Sequence, residues 1–350
     1  MNWALFAADL APKSFWLPVQ GSEVAAETDV HFFFIYWLNV FFFVGISAVL
    51  IYFCWKYRRK TPDQKPLPAP SHNTVLELVW SIIPTLVCIA LFYVGFIVYQ
   101  DLMEPPKDTF KVTVYGKKWN WNFVNPRSGL DSGNFLHVPA NTPIELTMTS
   151  TDVIHCVYIP AMRTKKDVVP GRYSKLWFNA AMPTGQTTPL EYNIFCAEYC
   201  GTSHSEMWGK LIVHPTMEDF KKWEASEIKK IDSYPPVDLG RWVWERKGCK
   251  GCHSIDGSKG TGPTFKGLWG MNTAEHLEKN YATGTTRAVP VDENFIRESI
   301  NEPNAEIRDG FPSPSPMPSF KGQLSDKQIN GVIEFLKTIG KDAPPPPVKQ

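Results

Sequence analysis

The sequence predicts a multidomain chain: a two-helix transmembrane hairpin, then an all-β domain, then an all-α domain. Three observations predict it. Two long apolar runs near the N-terminus flank a short basic loop. The middle of the chain alternates apolar and polar residues between turn signals. Helical periodicity and Gly/Pro-rich loops fill the last third.

A length of 350 residues suits two or three domains. Net charge is +1, which provides no field for nucleic acid, so none is expected as a partner. Charged residues are only 20% and aromatics 13%, a balance that points to membrane segments. We divide the chain into an external segment (1–30), a hairpin (31–100), a β domain (106–218), a linker (219–236), a helical domain (237–340) and a Pro-rich tail (341–350).

The first span, about 31–56, is nearly all apolar from His31 to Trp55, enough to cross the roughly 30 Å of a bilayer core. Lys56, Arg58, Arg59 and Lys60 follow at once. The second span covers about 74–100. The basic loop between them is cytoplasmic by the positive-inside rule, so both termini and the later domains face outward. Two buried core helices would not explain the basic flank. Residues 1–30 show no basic region ahead of a short apolar stretch, so a processed leader is not readable there.

After Pro105 come FKVTVYG, PIELTMTS, YNIFCAEYC and KLIVHP, separated by turn residues, the pattern of a β sandwich or barrel. Residues 217–231 form a polar helix and linker. The clearest helix runs from Leu324 to Ile339, with Ser325 and Gln328 as a capping box and Ile329, Val332, Ile333 and Leu336 on one face. The tail after Lys341 reads as extended.

The cysteines carry the chemistry. There are seven, an odd number, and four form two tight pairs, Cys196 with Cys200 and Cys249 with Cys252. Such pairs suit metal or haem better than a disulfide framework. Cys54 and Cys88 lie in apolar runs and are expected to be inert. In Cys196-Ala-Glu-Tyr-Cys200-Gly-Thr-Ser-His204-Ser-Glu-Met207, two thiols, an imidazole and a thioether share one loop. Soft ligands with imidazole select copper or zinc. Two cysteines four apart can bridge two copper ions, and each copper then needs one histidine. His204 is one; His155, in TDVIH, is the best candidate for the other. A disulfide leaves His204 and Met207 unexplained, and Met is a poor zinc ligand. Cys156 should point away from His155 along a strand. His137 and His214 read as ordinary β-domain histidines.

Cys249-Lys-Gly-Cys252-His253 is the attachment pattern for c-type haem, with His253 as the proximal ligand. Met317, in SPMPSF, is the candidate distal ligand, with Met271 as rival and core filler as the plain alternative. A zinc knuckle or redox thiol pair would need further ligands, and only His276 lies near. Haem attachment of this kind occurs on the outer face of bacterial membranes, which agrees with the positive-inside argument.

Taken together, the CAEYCG..H..M loop, DVIH and the VPGR of Val169 to Arg172 resemble subunit II of haem-copper cytochrome c oxidases. Residues 239–340 resemble small class I cytochromes c, as in caa-type oxidases. The resemblance implies a cupredoxin-like β domain with a dinuclear copper centre, CuA. Its ligands would be His155, Cys196, the Glu198 carbonyl, Cys200, His204 and Met207. The Glu198 side chain would bind magnesium at subunit I. Pro263, in Gly262-Pro263, would hold the His253 ring by its carbonyl. Trp119, in GKKWNW, would receive electrons from cytochrome c, although Lys118 and Asn120 depart from the family's usual Gln and Tyr; a core aromatic is the alternative. Glu77, at the start of the second span, would lie at the mouth of a proton pathway, or act as a cap or solvated acid.

The implied function is the electron-accepting subunit of a proton-pumping oxidase. Electrons would pass from haem c to CuA and on to haem a of subunit I, which holds the haem–copper oxygen site. Subunit III and an upstream cytochrome c or bc-type complex are expected partners, in a bacterial cell membrane. The alternatives are a CuA subunit of a nitric oxide reductase, or a membrane-anchored electron carrier with no catalytic partner.

Overall fold

A computed structural model describes residues 14–65, 70–271 and 276–340; the expected Pro-rich tail (341–350) lies outside them. Among these, two helices are long and apolar enough to cross a membrane, α1 (Glu23–Lys56) and α2 (Thr74–Met103). Their large apolar side chains face outward: Phe41, Phe43, Phe92 and Val75 are each at least 70% exposed. A water-soluble protein would bury such side chains, so lipid is the fitting surround.

Helix α1 begins at Glu23, ahead of the expected His31. Its polar first turns are helical because Ser22 caps them and they dock on the β domain. The Ser22 hydroxyl accepts from the Ala25 amide at 3.1 Å. Arg163 holds Asp29 through two bonds, at 2.7 and 2.8 Å, and also donates to the carbonyls of Pro18 and Pro160. Removing one partner of such a buried pair costs about 3–5 kcal/mol. At the other end of the hairpin, Trp177 of the β domain donates to the Asp101 carbonyl of α2. The start of α1 and the end of α2 therefore meet the same domain, and the basic loop lies at the far end.

The β domain holds β1 (Phe110–Lys117), β2 (Asn120–Val124), β3 (Phe135–Pro139), β4 (Pro143–Ser150), β5 (His155–Ile159), β6 (Thr164–Val168), β7 (Ser174–Asn179), β8 (Leu190–Cys196) and β9 (Trp208–His214). They form two sheets, ordered β2-β1-β4-β7 and β3-β9-β8-β5-β6. β1 pairs with β4, and β3 with β9, in parallel; the other pairs are antiparallel. Alternate residues of β8 and β9 face inward, so Tyr192, Ile194, Leu211 and Val213 join Trp121, Leu146 and Ile159 between the sheets.

Helix α3 (Met217–Ser233) is more than a linker. Phe220 and Trp223 pack it onto the sandwich, where Trp223 stacks on His137 at 3.6 Å between ring centres. His137 and His214 share a hydrogen bond of 3.0 Å there. Burial, then the neighbouring His214, pushes His137 down to about 3. The pair stays neutral at physiological pH and serves as packing, in keeping with the structural role expected for both.

The C-terminal domain is helical, with α4 (Pro236–Arg246), α5 (Glu293–Asn301) and α6 (Asp326–Thr338). It adds a small sheet that periodicity did not predict: β10 (Leu277–Asn280), β11 (Thr286–Ala288) and β12 (Glu306–Arg308), in the order β11-β10-β12. These strands are too short to show an alternation. His276, the histidine near the haem motif, is spent on a buried bond to Glu278 at 2.8 Å.

Helices α4 and α6 cross in contact at Gly240 and Gly331. A Cβ on Gly240 would lie 1.9 Å from the Gly331 carbonyl oxygen. Gly240→Ala is therefore expected to force the helices apart and destabilise this domain by about 3 kcal/mol, the upper end for overpacking. Thermal unfolding followed at the haem absorbance would measure the loss.

Candidate functional site: a copper cluster and a haem pocket

Strand β8 delivers Cys196 to one end of the sandwich, and the loop from Ala197 returns to β9 through Met207. The Cys196 amide donates to the Met207 carbonyl, and the Ala197 amide to the Cys156 carbonyl, which pins both ends of the loop. Gly201, at φ +122°, lets the backbone pass Trp119: an added Cβ would meet the indole at 3.2 Å. The loop thereby folds its donors inward. Cys196 Sγ and Cys200 Sγ are 3.9 Å apart. Cys200 Sγ lies 3.4 Å from His204 Nδ1 and 3.8 Å from Met207 Sδ. Cys196 Sγ lies 3.2 Å from the Glu198 carbonyl oxygen and 3.9 Å from His155 Nδ1.

His155 opens β5 and is fully buried. Its Nε2 bonds Asp152 Oδ1 at 2.8 Å, which turns Nδ1 toward the sulfurs. Burial disfavours its charged form, but the Asp152 bond outweighs that and raises its pKa. Burial also opposes the Cys196 thiolate, yet the His155 bond and backbone donors lower its pKa. Cys200 is pushed up to about 12 by burial and by the neighbouring Cys196. Two thiolates this close need cations between them, so the donor set fits a bridged metal pair. Cys156 is buried, and its sulfur lies 3.9 Å from the Val157 carbonyl oxygen, outside the cluster.

The haem motif forms a short turn after α4, in which the His253 amide donates to the Cys249 carbonyl at 2.9 Å. His253 Nδ1 bonds the Pro263 carbonyl oxygen at 2.8 Å, so Nε2 carries the free lone pair. Burial holds His253 below its usual pKa, keeping the imidazole neutral, as an iron ligand must be. Gly262 lets the loop approach: a Cβ there would lie 2.7 Å from His253 Cε1. His253, Cys249, Cys252 and Met317 all line one apolar cavity. A planar apolar group joined to both thiols fits it. Met271 packs in the same domain, but its sulfur takes the Arg308 guanidinium at 3.4 Å.

The remaining expected residues fall elsewhere. Trp119 is 9% exposed and donates its indole N–H to the Cys200 carbonyl at 3.3 Å. Glu198 projects its side chain to the surface. Glu77 lies in the first turn of α2, apart from both centres, where its Oε1 accepts from the Asn73 amide at 3.1 Å. That is half of a capping arrangement, with Asn73 capping Leu76. Asp152 was not singled out from sequence as a site residue; the signal was its place three before His155. Lys117 was missed too, and Lys118, noted only as a departure from the family's usual residue, was not expected beside the haem motif. They complete the wall of the haem cavity from the β domain.

Family models cover the chain in three parts. The cytochrome c oxidase subunit II transmembrane domain matches residues 14–98, the periplasmic domain of the same subunit 124–214, and cytochrome c 237–340. A cytochrome c oxidase subunit 2 of Synechocystis sp. is 30% identical over 257 residues, 60% of this chain and 75% of that protein. The chain belongs to the cytochrome c oxidase subunit II family. Another subunit 2, from Alkalihalophilus pseudofirmus, is 27% identical over 85% of this chain and 82% of its own length. The solved periplasmic domain of subunit II from Bradyrhizobium japonicum matches 36% of this chain and 99% of that one, at 27% identity and a TM-score of 0.33. Membership implies a CuA centre and an oxidoreductase complex with subunit I; the cytochrome c domain implies haem c and fits a caa-type subunit.

Proposed function

We propose that this subunit II receives electrons at its own cytochrome domain and relays them to the oxygen-reducing subunit. When bound, haem c and the copper pair supply reversible one-electron storage, giving a route from haem c to CuA and on to haem a of subunit I, where oxygen becomes water and protons are pumped. One observation carries this reading. Lys117 and Lys118 wall the haem cavity, and the next residue, Trp119, is hydrogen-bonded to the Cys200 carbonyl of the copper loop. A short path of bonds thus runs from the cavity wall through Trp119 to the Cys196–Met207 loop, which supports the proposed route.

In this reading His155, Cys196, Cys200, His204, Met207 and the Glu198 carbonyl hold copper. Cys249 and Cys252 attach the haem, with His253 and Met317 on its iron. The rigid sandwich keeps the copper donors fixed, which limits reorganisation on redox. The exposed Glu198 carboxylate would complete a magnesium site with subunit I. Glu77 would face the mouth of a proton pathway there, although its bond to Asn73 also gives it a capping role. The two outer domains, and both termini, would lie on the outer face of a bacterial cell membrane. Subunit III and a cytochrome c or bc-type donor would complete the assembly.

A redox difference spectrum of the native complex tests this. Haem c, haem a and the near-infrared copper band are expected together, with oxygen consumption. Turnover of nitric oxide without oxygen chemistry would make the chain a reductase subunit instead. Isolation of the chain without subunit I from mild detergent would make it a free-standing electron carrier.

A further inference from the structure

The two outer domains meet through contacts that cluster on either side of the haem-attachment turn. Arg246 and Lys247 end α4 and lead, through Gly248, directly into Cys249. Lys247 pairs with Asp131 of the β2–β3 loop, with side chains only 8% and 15% exposed. The guanidinium of Arg246 lies 4.4 Å from the ring centre of Phe135 in β3. A Cβ on Gly248, whose φ is +89°, would meet Asn120 of β2 at 2.8 Å. In return, Lys117 of β1 sits 4.1 Å over the ring of Phe320, in the segment just after Met317. Each domain thus places a cation on the other's aromatic ring, and one buried ion pair lies between them.

Asp131 is prepared for this. Its carboxylate accepts from Asn122 at 2.9 Å and from the Gly133 amide at 2.8 Å, so its position does not depend on the lysine. The loop approaches α4 closely: a Cβ on Gly133 would lie 2.8 Å from the Arg246 carbonyl oxygen. Surface tethering alone would explain none of this burial. A tethered domain that only visited its acceptor would keep Lys247 and Asp131 solvated, because an unpaired buried charge is costly.

We infer that Asp131 and Lys247 form a docking lock that holds the haem-attachment turn against Lys117–Trp119, so that transfer into the copper loop occurs within a fixed complex. Both are positioning residues, acting through the turn and Trp119. The inference rests on the haem c to CuA route proposed above. It adds that the route depends on a specific ionic contact and not on tethering.

The test uses the intact purified oxidase, with haem c reduced by a light-triggered electron donor and copper reduction followed in time. In the unaltered complex the rate should be nearly independent of salt, as the pair is shielded from solvent. Lys247→Gln leaves the Asp131 loop bonded and should slow transfer by roughly tenfold or more. Asp131→Asn should do the same. The double variant should be no slower than the slower single one, the mark of a shared interaction. Lys247→Arg keeps the charge and should stay within about twofold, which a merely structural loss would not allow. Haem and copper spectra should be unchanged throughout. Wild-type rates in both Lys247→Gln and Asp131→Asn would overturn the lock. Absence of any haem c to copper transfer in the unaltered complex would instead overturn the route itself.

Discussion

Cys200→Ser is expected to remove the near-infrared copper band and to cut oxygen consumption by more than about 100-fold, beyond the 10–100-fold typical for loss of an outer-sphere partner. Cys200 stands at the centre of the cluster, within 3.9 Å of Cys196 Sγ, His204 Nδ1 and Met207 Sδ. Serine offers a hard hydroxyl that stays protonated at neutral pH, where the site needs a soft anion to bridge two ions. The remaining donors can hold at most one copper well, and a single copper loses the shared charge that keeps reorganisation small. Two comparisons give the effect its meaning. Asp152→Asn leaves all six donors and removes only the anionic partner of His155 Nε2, so copper affinity should fall within that 10–100-fold range. Cys156→Ser, one residue from His155 but outside the cluster, should leave the band intact. Copper content, near-infrared absorbance and oxygen uptake measured on all three would settle the order. An intact band in Cys200→Ser would remove it from the ligand set.

Much of this was legible in the sequence because the chemistry is local. Five of the six candidate copper donors lie between Cys196 and Met207, and three of the four candidate haem residues lie between Cys249 and His253. Short spacing restricts geometry, and few arrangements satisfy soft donors that close. The apolar spans were equally plain, since lipid demands an unbroken run and the basic loop marks its end. What stayed hidden depends on contacts between distant segments. Helix α1 starts at Glu23 because Asp29 meets Arg163, 134 residues away, and no local pattern reports that pair. Nothing in the local sequence around Asp131, Lys247 or Lys117 marks them as buried. Their burial is created only when one domain docks on the other. The strands β10 to β12 were missed because three or four residues cannot display a period.

Met317→Ala should leave the haem attached through Cys249 and Cys252, with His253 still in place, but should abolish the low-spin Met-ligated spectrum. The Met317 loop is held firmly in place. Ser315 takes the Met317 amide at 3.2 Å, the Asn304 side chain takes the Ser315 amide at 2.8 Å, and Ser319 bonds the Asn301 carbonyl at the end of α5. Flanking prolines at 316 and 318 restrict the backbone further. A thioether raises the potential of a haem, so its loss should lower that potential by roughly 100 mV or more. For a one-electron couple each 59 mV is about a tenfold change in equilibrium. A fixed upstream donor would then reduce the haem far less completely, and turnover should drop by more than about tenfold at limiting donor. The sign matters, because a lower potential favours the onward step to copper. The loss should therefore appear in reduction of haem c and not in its reoxidation. Met271→Leu is the control: its sulfur faces Arg308, so spectrum and potential should hold. A normal Met317→Ala spectrum with an altered Met271→Leu spectrum would move the distal ligand to Met271.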